Sequence, residues 1–590
     1  MISNYSFGNL PVIGSLFYNT NSLILMLIIY PMLFMWQGID LTDQGYALTT
    51  YQRIFDDPPT VLDKLTLFYW LSAVIGGLWN QIFGGLGALA FKLAYVFNVY
   101  LILLCVYYTL KEYFDRTQLL FALLLTLMFV NKAVVNWIQY NSLTSLFYVA
   151  AGFLLLHGLK KQSHAPIFLA ALILGLNIFI KIPNILGLSL ILVPIFYGYL
   201  SHFSTGQYFR IALLFISGSI TGVIVILLAM HYIGHLELYL DAFINIFSRL
   251  SDKSDGHSAN ALVILLINDS IRMMVFSVFS ICSVVICSIL LSRVHNKPVQ
   301  YFSILGLSVV AYYGLAHLES WKWIYPGAII FVLLYYILRT DKYTTQIRTI
   351  ACISLVFLYA ASFGSDNGIR NMIFGMWLGL PMAILFLLQA QPIEFFERIL
   401  TPKSMAFVQK LVLSIVIVST LIIAFRYTYR DNPDRFLMVH PVSHPMLKGQ
   451  FTTKDRANSL QELITALSGY VKEDDHLFAY EHIQLVYYLT KTRPYLYHSW
   501  PMLYPPEDFG AKLKQAQREK KELPIVVRAK SNTKTRYWPQ DVDMGLQITD
   551  TRINDSRLIA IRFLKANKYT VVWENTFFQI LAPLDSNSLL

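Results

Sequence analysis

Charge is scarce in this chain. Only 14% of its 590 residues are Asp, Glu, Lys or Arg, against roughly 25% in ordinary soluble domains. The shortage is uneven, because long apolar runs dominate up to about Phe425 and globular sequence follows. Cysteine is scarcer still. Cys105, Cys282, Cys287 and Cys352 all lie within apolar runs, so the C-terminal part has no thiol for a disulfide and carries no signal of its redox compartment. Walker A, HExxH, GxSxG and CxxC patterns are missing, which leaves ATPase, zinc-protease and α/β-hydrolase chemistry without its defining residues. No internal repeat or low-complexity segment is present. Together these absences exclude a soluble enzyme.

What is present is hydrophobic surface, 56% of residues, with 15% aromatic. A net charge of +11 fits Lys and Arg retained in cytoplasmic loops, and nucleic acid is not expected as a partner. A span takes about 20 apolar residues, fewer where neighbours shelter its ends. Stretches 21–37, 88–110, 118–131, 141–158, 165–181, 183–200, 210–231, 273–292, 299–316, 323–339, 348–362, 372–389 and 408–426 qualify. The apolar stretch 67–83 reads as an amphipathic helix in the interface. One set of loops, carrying Lys111/Arg116, Lys160/Lys161, Arg210, Arg293/Lys297, Arg339/Lys342/Arg348 and Arg398/Lys403, is basic and therefore cytoplasmic. An odd number of spans then puts the C-terminal part outside.

The chain thus reads as an all-α polytopic domain of about thirteen transmembrane helices over 1–426, followed by a soluble, non-cytoplasmic α/β domain over 427–590. Residues 1–21 carry no charge and no small-residue cleavage site follows, so 23–36 is expected to be a retained span. Two outer loops, 37–87 and 232–272, are long enough to be functional, the second with its own apolar helix at 259–267. In the tail, helical periodicity covers 454–471. Strand signals fall at 476–480, 524–528, 569–573 and 577–581, with a hairpin turn at Asn575-Thr576.

Chemistry-bearing residues gather on the outer side. Asp40 and Asp43 follow the first span, where a carboxylate can act as general base. Thr42 or Asp43 is equally placed to cap a helix starting at Gln44. Asp63-Lys64 precedes the aromatic stretch Phe68-Tyr69-Trp70, at a depth suited to a lipid phosphate. Lys181 sits between apolar runs beside Pro183, and a charge there usually faces a cavity or a partner. His257, Lys322, Asp366 and Arg370 lie in or near later outer loops, and Asp366/Arg370 are spaced to pair on a helix. Acids to take a proton and cations to hold a phosphate are the equipment for displacing a phosphate-linked group.

In this order and sidedness the chain resembles the GT-C superfamily of polytopic glycosyltransferases, in particular aminoarabinose and mannosyl transferases. Asp43-Gln44-Gly45-Tyr46 resembles an Asp-Glu-x-x-Tyr stretch. Asp63-Lys64, Tyr69-Trp70-Leu71 and Phe83-Gly84 resemble an acidic-Lys-Pro stretch ending in Phe-Gly. Lys181 matches a lysine common before a proline, and 488–494 resembles family tails. The resemblance implies inverting transfer of a sugar from a polyprenyl phosphate to a lipid, glycan or protein acceptor. It makes Asp43 the general base or an acceptor-orienting acid, Asp63 a second carboxylate and Lys64 a phosphate ligand. Lys181, His257 and Arg370 are further candidates for donor binding, with Asp40, Tyr46, Lys322 and Asp366 in support. The resemblance leaves a divalent metal open as a cofactor, and Gln44 in place of the second acid removes a carboxylate that such a metal would use. Leu65 replaces the family's proline, and the Trp-Trp-Asp signature of oligosaccharyltransferases is absent. The expected setting is a bacterial inner membrane with the tail periplasmic. A lipid or polysaccharide transporter or flippase, a membrane-anchored assembly protein and an O-antigen polymerase or ligase are the alternatives.

Overall fold

The computed structural model describes residues 19–133, 135–250, 259–317, 321–363, 367–389, 400–520, 522–534, 538 and 551–584. Among them, nine helices are long and apolar enough to cross a membrane, and four shorter apolar helices accompany them, Thr20–Leu33, Arg116–Asn131, His164–Ile180 and Lys322–Leu338. These match the thirteen stretches one for one, and the chain is an integral membrane protein. The physical reason is simple: a lipid-facing backbone must bond to itself, so each apolar run becomes a helix. Close packing comes from small residues. Gly218 and Gly222 on helix Thr205–Tyr232 meet helix His164–Ile180 so tightly that a Cβ on either would lie 2.4 Å from a backbone oxygen.

Loops at one end of the bundle adjoin each other, since Lys160 pairs with Glu112 and Thr20 bonds Thr117 at 3.3 Å. The stretch 67–83 is broken at Phe68-Tyr69. Helices Lys64–Leu67 and Trp70–Phe83 result, the second packed on helix Asp43–Arg53 while Leu78, Ile82 and Phe83 stay exposed.

The second outer loop differs from expectation. The apolar stretch 259–267 is not a separate helix; it is the start of a continuous 35-residue helix, Ala259–Arg293. Helix geometry tolerates a charge that has partners, and Asp269 accepts the Ile369 N–H at 3.2 Å. The loop's other helix, Leu236–Leu250, was not anticipated.

After helix Pro402–Arg426 comes a small pair of strands, β1 (His440–Pro441) and β2 (Phe451–Thr452), antiparallel. A five-stranded sheet follows, made of β3 (His476–Tyr480), β4 (Arg493–Pro494), β5 (Ile525–Ala529), β6 (Tyr569–Glu574) and β7 (Phe578–Pro583). Its order is β4-β3-β5-β7-β6, parallel across β4-β3-β5 and antiparallel across β5-β7-β6. Helices Lys454–Leu467, Pro506–Glu519 and Thr551–Ala566 accompany it. Asn575 makes the β6–β7 turn without glycine by accepting the N–H groups of Phe577 (3.0 Å) and Phe578 (2.8 Å).

This C-terminal part is tied to the first outer loop. Gly38 N–H donates to Phe451 O at 3.0 Å and Phe451 N–H to Trp36 O at 2.8 Å. Asp431, wholly buried, accepts the Ile39 N–H (2.8 Å), the Thr452 hydroxyl (2.8 Å) and the Arg456 guanidinium (2.6 Å). Lys92 donates to the carbonyls of Gln37 and Gly38 from below.

Candidate active site

Helix Asp43–Arg53 carries the acids, and its start is set by Asp40, not by Thr42 or Asp43. Asp40 accepts the N–H groups of Thr42 (2.9 Å) and Gln44 (3.0 Å), while Thr42 makes no side-chain cap. The correction matters, because it leaves the Asp43 carboxylate available. Gly45 then brings this helix against the tail: a Cβ there would lie 2.1 Å from Leu485 N, and Leu485 N–H donates to Leu41 O at 2.9 Å.

Asp43 meets two residues the sequence reading missed. The Tyr429 hydroxyl donates to its Oδ2, and Arg430 Nη1 stands 2.8 Å from its Oδ1. The Arg430 contact is a close ion pair. Both side chains keep some exposure, 27% for Asp43 and 20% for Arg430, so the pair lies at an opening. Burial alone would lower the Arg430 pKa, but Asp40 and Asp43 more than offset it and the guanidinium stays charged. Asp40 is fully enclosed. Burial pushes its carboxyl up to about 6, with Arg430 pulling down and Asp43 pushing up.

Asp63 anchors a second network. Its Oδ1 accepts the Thr66 N–H at 3.0 Å, its Oδ2 accepts the Tyr504 hydroxyl, and His498 Nε2 lies 3.9 Å away. His498 Nδ1 accepts the Trp500 N–H at 3.0 Å, which leaves the ring proton on Nε2, and that nitrogen is 3.0 Å from the Tyr46 hydroxyl. Burial keeps the imidazole neutral against the pull of Asp63.

Stacked rings connect this network to Lys181. Tyr46 meets Tyr69 edge-on at 5.9 Å, Tyr69 stacks on Tyr140 at 5.3 Å, and Lys181 Nζ lies 5.7 Å from the Tyr140 ring centre. Lys181 is nine-tenths buried where helix His164–Ile180 gives way to a 3₁₀ stretch, Ile182–Ile191. Ile182 N–H bonds Phe68 O at 3.2 Å, fixing this break beside the first loop. Burial, then Tyr140 and Asp43, hold the Tyr69 hydroxyl well above its usual pKa.

Three buried polar atoms around these groups, Gln44 Nε2, Tyr69 Oη and Trp500 Nε1, have no partner among the described residues. Arg430 and Lys534 both lie over the Trp500 ring, at 5.9 and 5.2 Å. Cations and an aromatic face therefore stand beside the partly exposed Asp43.

Asp40, Asp43, Tyr46, Asp63 and Lys181 are thus brought together. Lys64 opens helix Lys64–Leu67 at the same place. Lys322 lies 5.4 Å from the Trp323 ring centre, and Arg370 is exposed on the 3₁₀ stretch Gly368–Gly375. His257 and Asp366 lie outside the described residues. Among those described, no three His, Cys, Asp or Glu side chains are grouped to hold a metal ion. Tyr429, Arg430, His498, Trp500 and Tyr504 escaped sequence reading. The one local signal was Tyr429-Arg430-Asp431, a polar run directly after the last span.

No known protein family and no curated protein matches the sequence. Among solved structures, the chain is similar to ArnT from Cupriavidus metallidurans in the apo state, with TM-score 0.47 and 10% identity over 96% of this chain and 97% of that one. ArnT bound to undecaprenyl phosphate gives TM-score 0.47 and 10% identity over 95% and 98%. The apo oligosaccharyltransferase of Archaeoglobus fulgidus gives TM-score 0.42 and 12% identity over 86% of this chain and 69% of that one. Both proteins are glycosyltransferases of the GT-C fold, and the likeness concerns the path of the chain.

Proposed function

We propose that this protein is a membrane glycosyltransferase that moves a sugar from a polyprenyl-phosphate donor to an acceptor hydroxyl at the outer face of the membrane. The observation that carries this reading is the partly open Asp43–Arg430 pair at the seam between first loop and tail. A carboxylate and a guanidinium side by side can take the acceptor's proton and offset the charge of a departing phosphate.

In the proposed step Asp43 receives the proton as the acceptor oxygen bonds to the anomeric carbon. The bond from that carbon to the phosphate oxygen breaks, and the polyprenyl phosphate leaves with the electron pair, inverting the centre. Arg430 and Lys181 supply positive charge to the phosphate, and Lys64 is a further candidate for it. Asp63 acts through His498 and Tyr46 as a positioning residue, since its oxygens are already engaged within the protein. The setting we favour is a bacterial inner membrane with the C-terminal part periplasmic. A flippase would place its polar residues at the midplane of broken helices; here they collect at one end.

Asp43→Asn in liposomes supplied with labelled donor lipid is expected to abolish transfer while expression and melting behaviour persist. Transfer at the parent rate would remove the assignment.

A further inference from the structure

The C-terminal part carries a second concavity that the reaction above does not use. A groove of about 810 Å³ runs between helix Lys454–Leu467 and the β6–β7 hairpin. The helix separates it from the Asp43 site. Arg456, Leu460, Leu463 and Leu467 form its buried side, and Arg456 reaches Asp431 and the Arg430 carbonyl. Residues five and six further on, at 100° per residue, turn to the opposite side, and there Gln461 and Glu462 line the groove with Tyr470, Trp573, Glu574 and Asn575.

Three features define its chemistry. Two aromatic rings face one concavity. The Tyr470 hydroxyl donates to Val572 O at 3.3 Å, laying its ring along β6. A bulge between Val571 and Trp573 breaks the strand's alternation and re-aims the indole, a common use of bulges beside binding sites. The indole is half-buried. Second, the polar groups are planar and partly unused. Glu462 Oε2 accepts from Asn575 at 2.9 Å, and Glu574 Oε2 accepts from Gln579 and Lys530, both at 2.9 Å; each carboxylate's other oxygen has no bond among the described residues. Gln461 Oε1 is buried without a partner among the described residues. Third, the described lining holds two carboxylates and no Lys or Arg.

Ring faces for C–H surfaces, with carboxylate and amide oxygens for neighbouring hydroxyls, match a carbohydrate. The negative lining repels phosphate, and the near-absence of aliphatic side chains gives nothing to an apolar peptide or an acyl chain. We propose that this groove binds an uncharged or amine-bearing oligosaccharide and holds a glycan whose end reaches the Asp43 site. Its part in the reaction rests on the glycosyl-transfer reading; sugar binding itself does not. Anchoring at a second site raises the local concentration of the reacting end without any new contact there. The acceptor class it selects is a glycan of several sugars, over a small lipid or an isolated peptide.

The test uses the full chain in detergent, with hexasaccharides of glucose, mannose, N-acetylglucosamine and glucosamine, followed by tryptophan fluorescence and calorimetry. At least one should bind, and Trp573→Ala and Gln461→Ala should each weaken it by about tenfold or more. Glu462→Ala, on an exposed helix face, should do the same without altering the melting point. Asp43→Asn should bind as the parent does. Absence of binding to every sugar, unchanged affinity in the Trp573 and Glu462 variants, or displacement by an unstructured peptide would each overturn the groove. Binding intact with no transfer by the parent would overturn the Asp43 reading alone.

Discussion

Replacing Asp431 with Asn removes a charge from the place where first loop and tail are joined. Asp431 is wholly enclosed and Arg456 nearly so, at 2% exposure, with 2.6 Å between them. Every neighbour of the carboxylate is a donor: the N–H groups of Ile39 and Asn432, the Thr452 hydroxyl and the guanidinium. An amide nitrogen must therefore face another donor, and the cation is left in a dry site. Burial already lowers the Arg456 pKa, and Asp431 is what counters it. Breaking one side of such a pair costs about 3–5 kcal/mol. Thermal unfolding of the detergent-solubilised variant should fall by several degrees, and limited proteolysis should cut between residues 36 and 44. Combining Asp431→Asn with Arg456→Met should cost less than the sum of the two, because no buried cation remains. An unchanged midpoint, or strict additivity, would refute the clamp.

Gly45→Ala forces a Cβ into the Leu485 backbone at 2.1 Å; a loss of about 3 kcal/mol and a marked fall in transfer are expected, and parent-like melting would contradict this contact. Asp40 titrates higher folded, to about 6, than its unfolded value of about 3.9. The folded chain holds the extra proton, so stability should decline as pH climbs from about 4 to about 6. Arg430→Gln removes a group that lowers this pKa, so the upper edge of the decline should move to higher pH in melting curves; an unmoved edge would separate Arg430 from Asp40. His498→Gln, which can present an N–H near the Nε2 position, should retain more activity than His498→Phe, with the difference in kcat rather than KM. Equal variants would deny His498 its positioning role.

The membrane part was legible because each span had to write an unbroken apolar run, and Lys181-Ile182-Pro183 announced its broken helix. Helix Ala259–Arg293 was read as a loop helix at 259–267 and a span at 273–292, because Asp269 and Arg272 interrupt its apolar run. The tail's longer strands showed their β-branched and aromatic residues, whereas β4, two residues long, carries no period. Half of the candidate site was readable, since Asp40, Asp43 and Asp63 are acids beside an apolar segment. Tyr429, Arg430, His498 and Tyr504 were not, because their meaning comes from partners nearly four hundred residues or more away. Before the chain folds back, Tyr504 is an ordinary tyrosine near a proline.

The pairing of Asp43 with Arg430 also has a consequence for biogenesis. Synthesis delivers the acid early and its counterion only after the thirteenth helix has entered the bilayer. A nascent chain, or one cut short anywhere in between, holds Asp43 without Tyr429 and Arg430. In such products Asp43 stands without either of the groups it meets in the folded chain, so the pair is completed only once the C-terminal part has folded back.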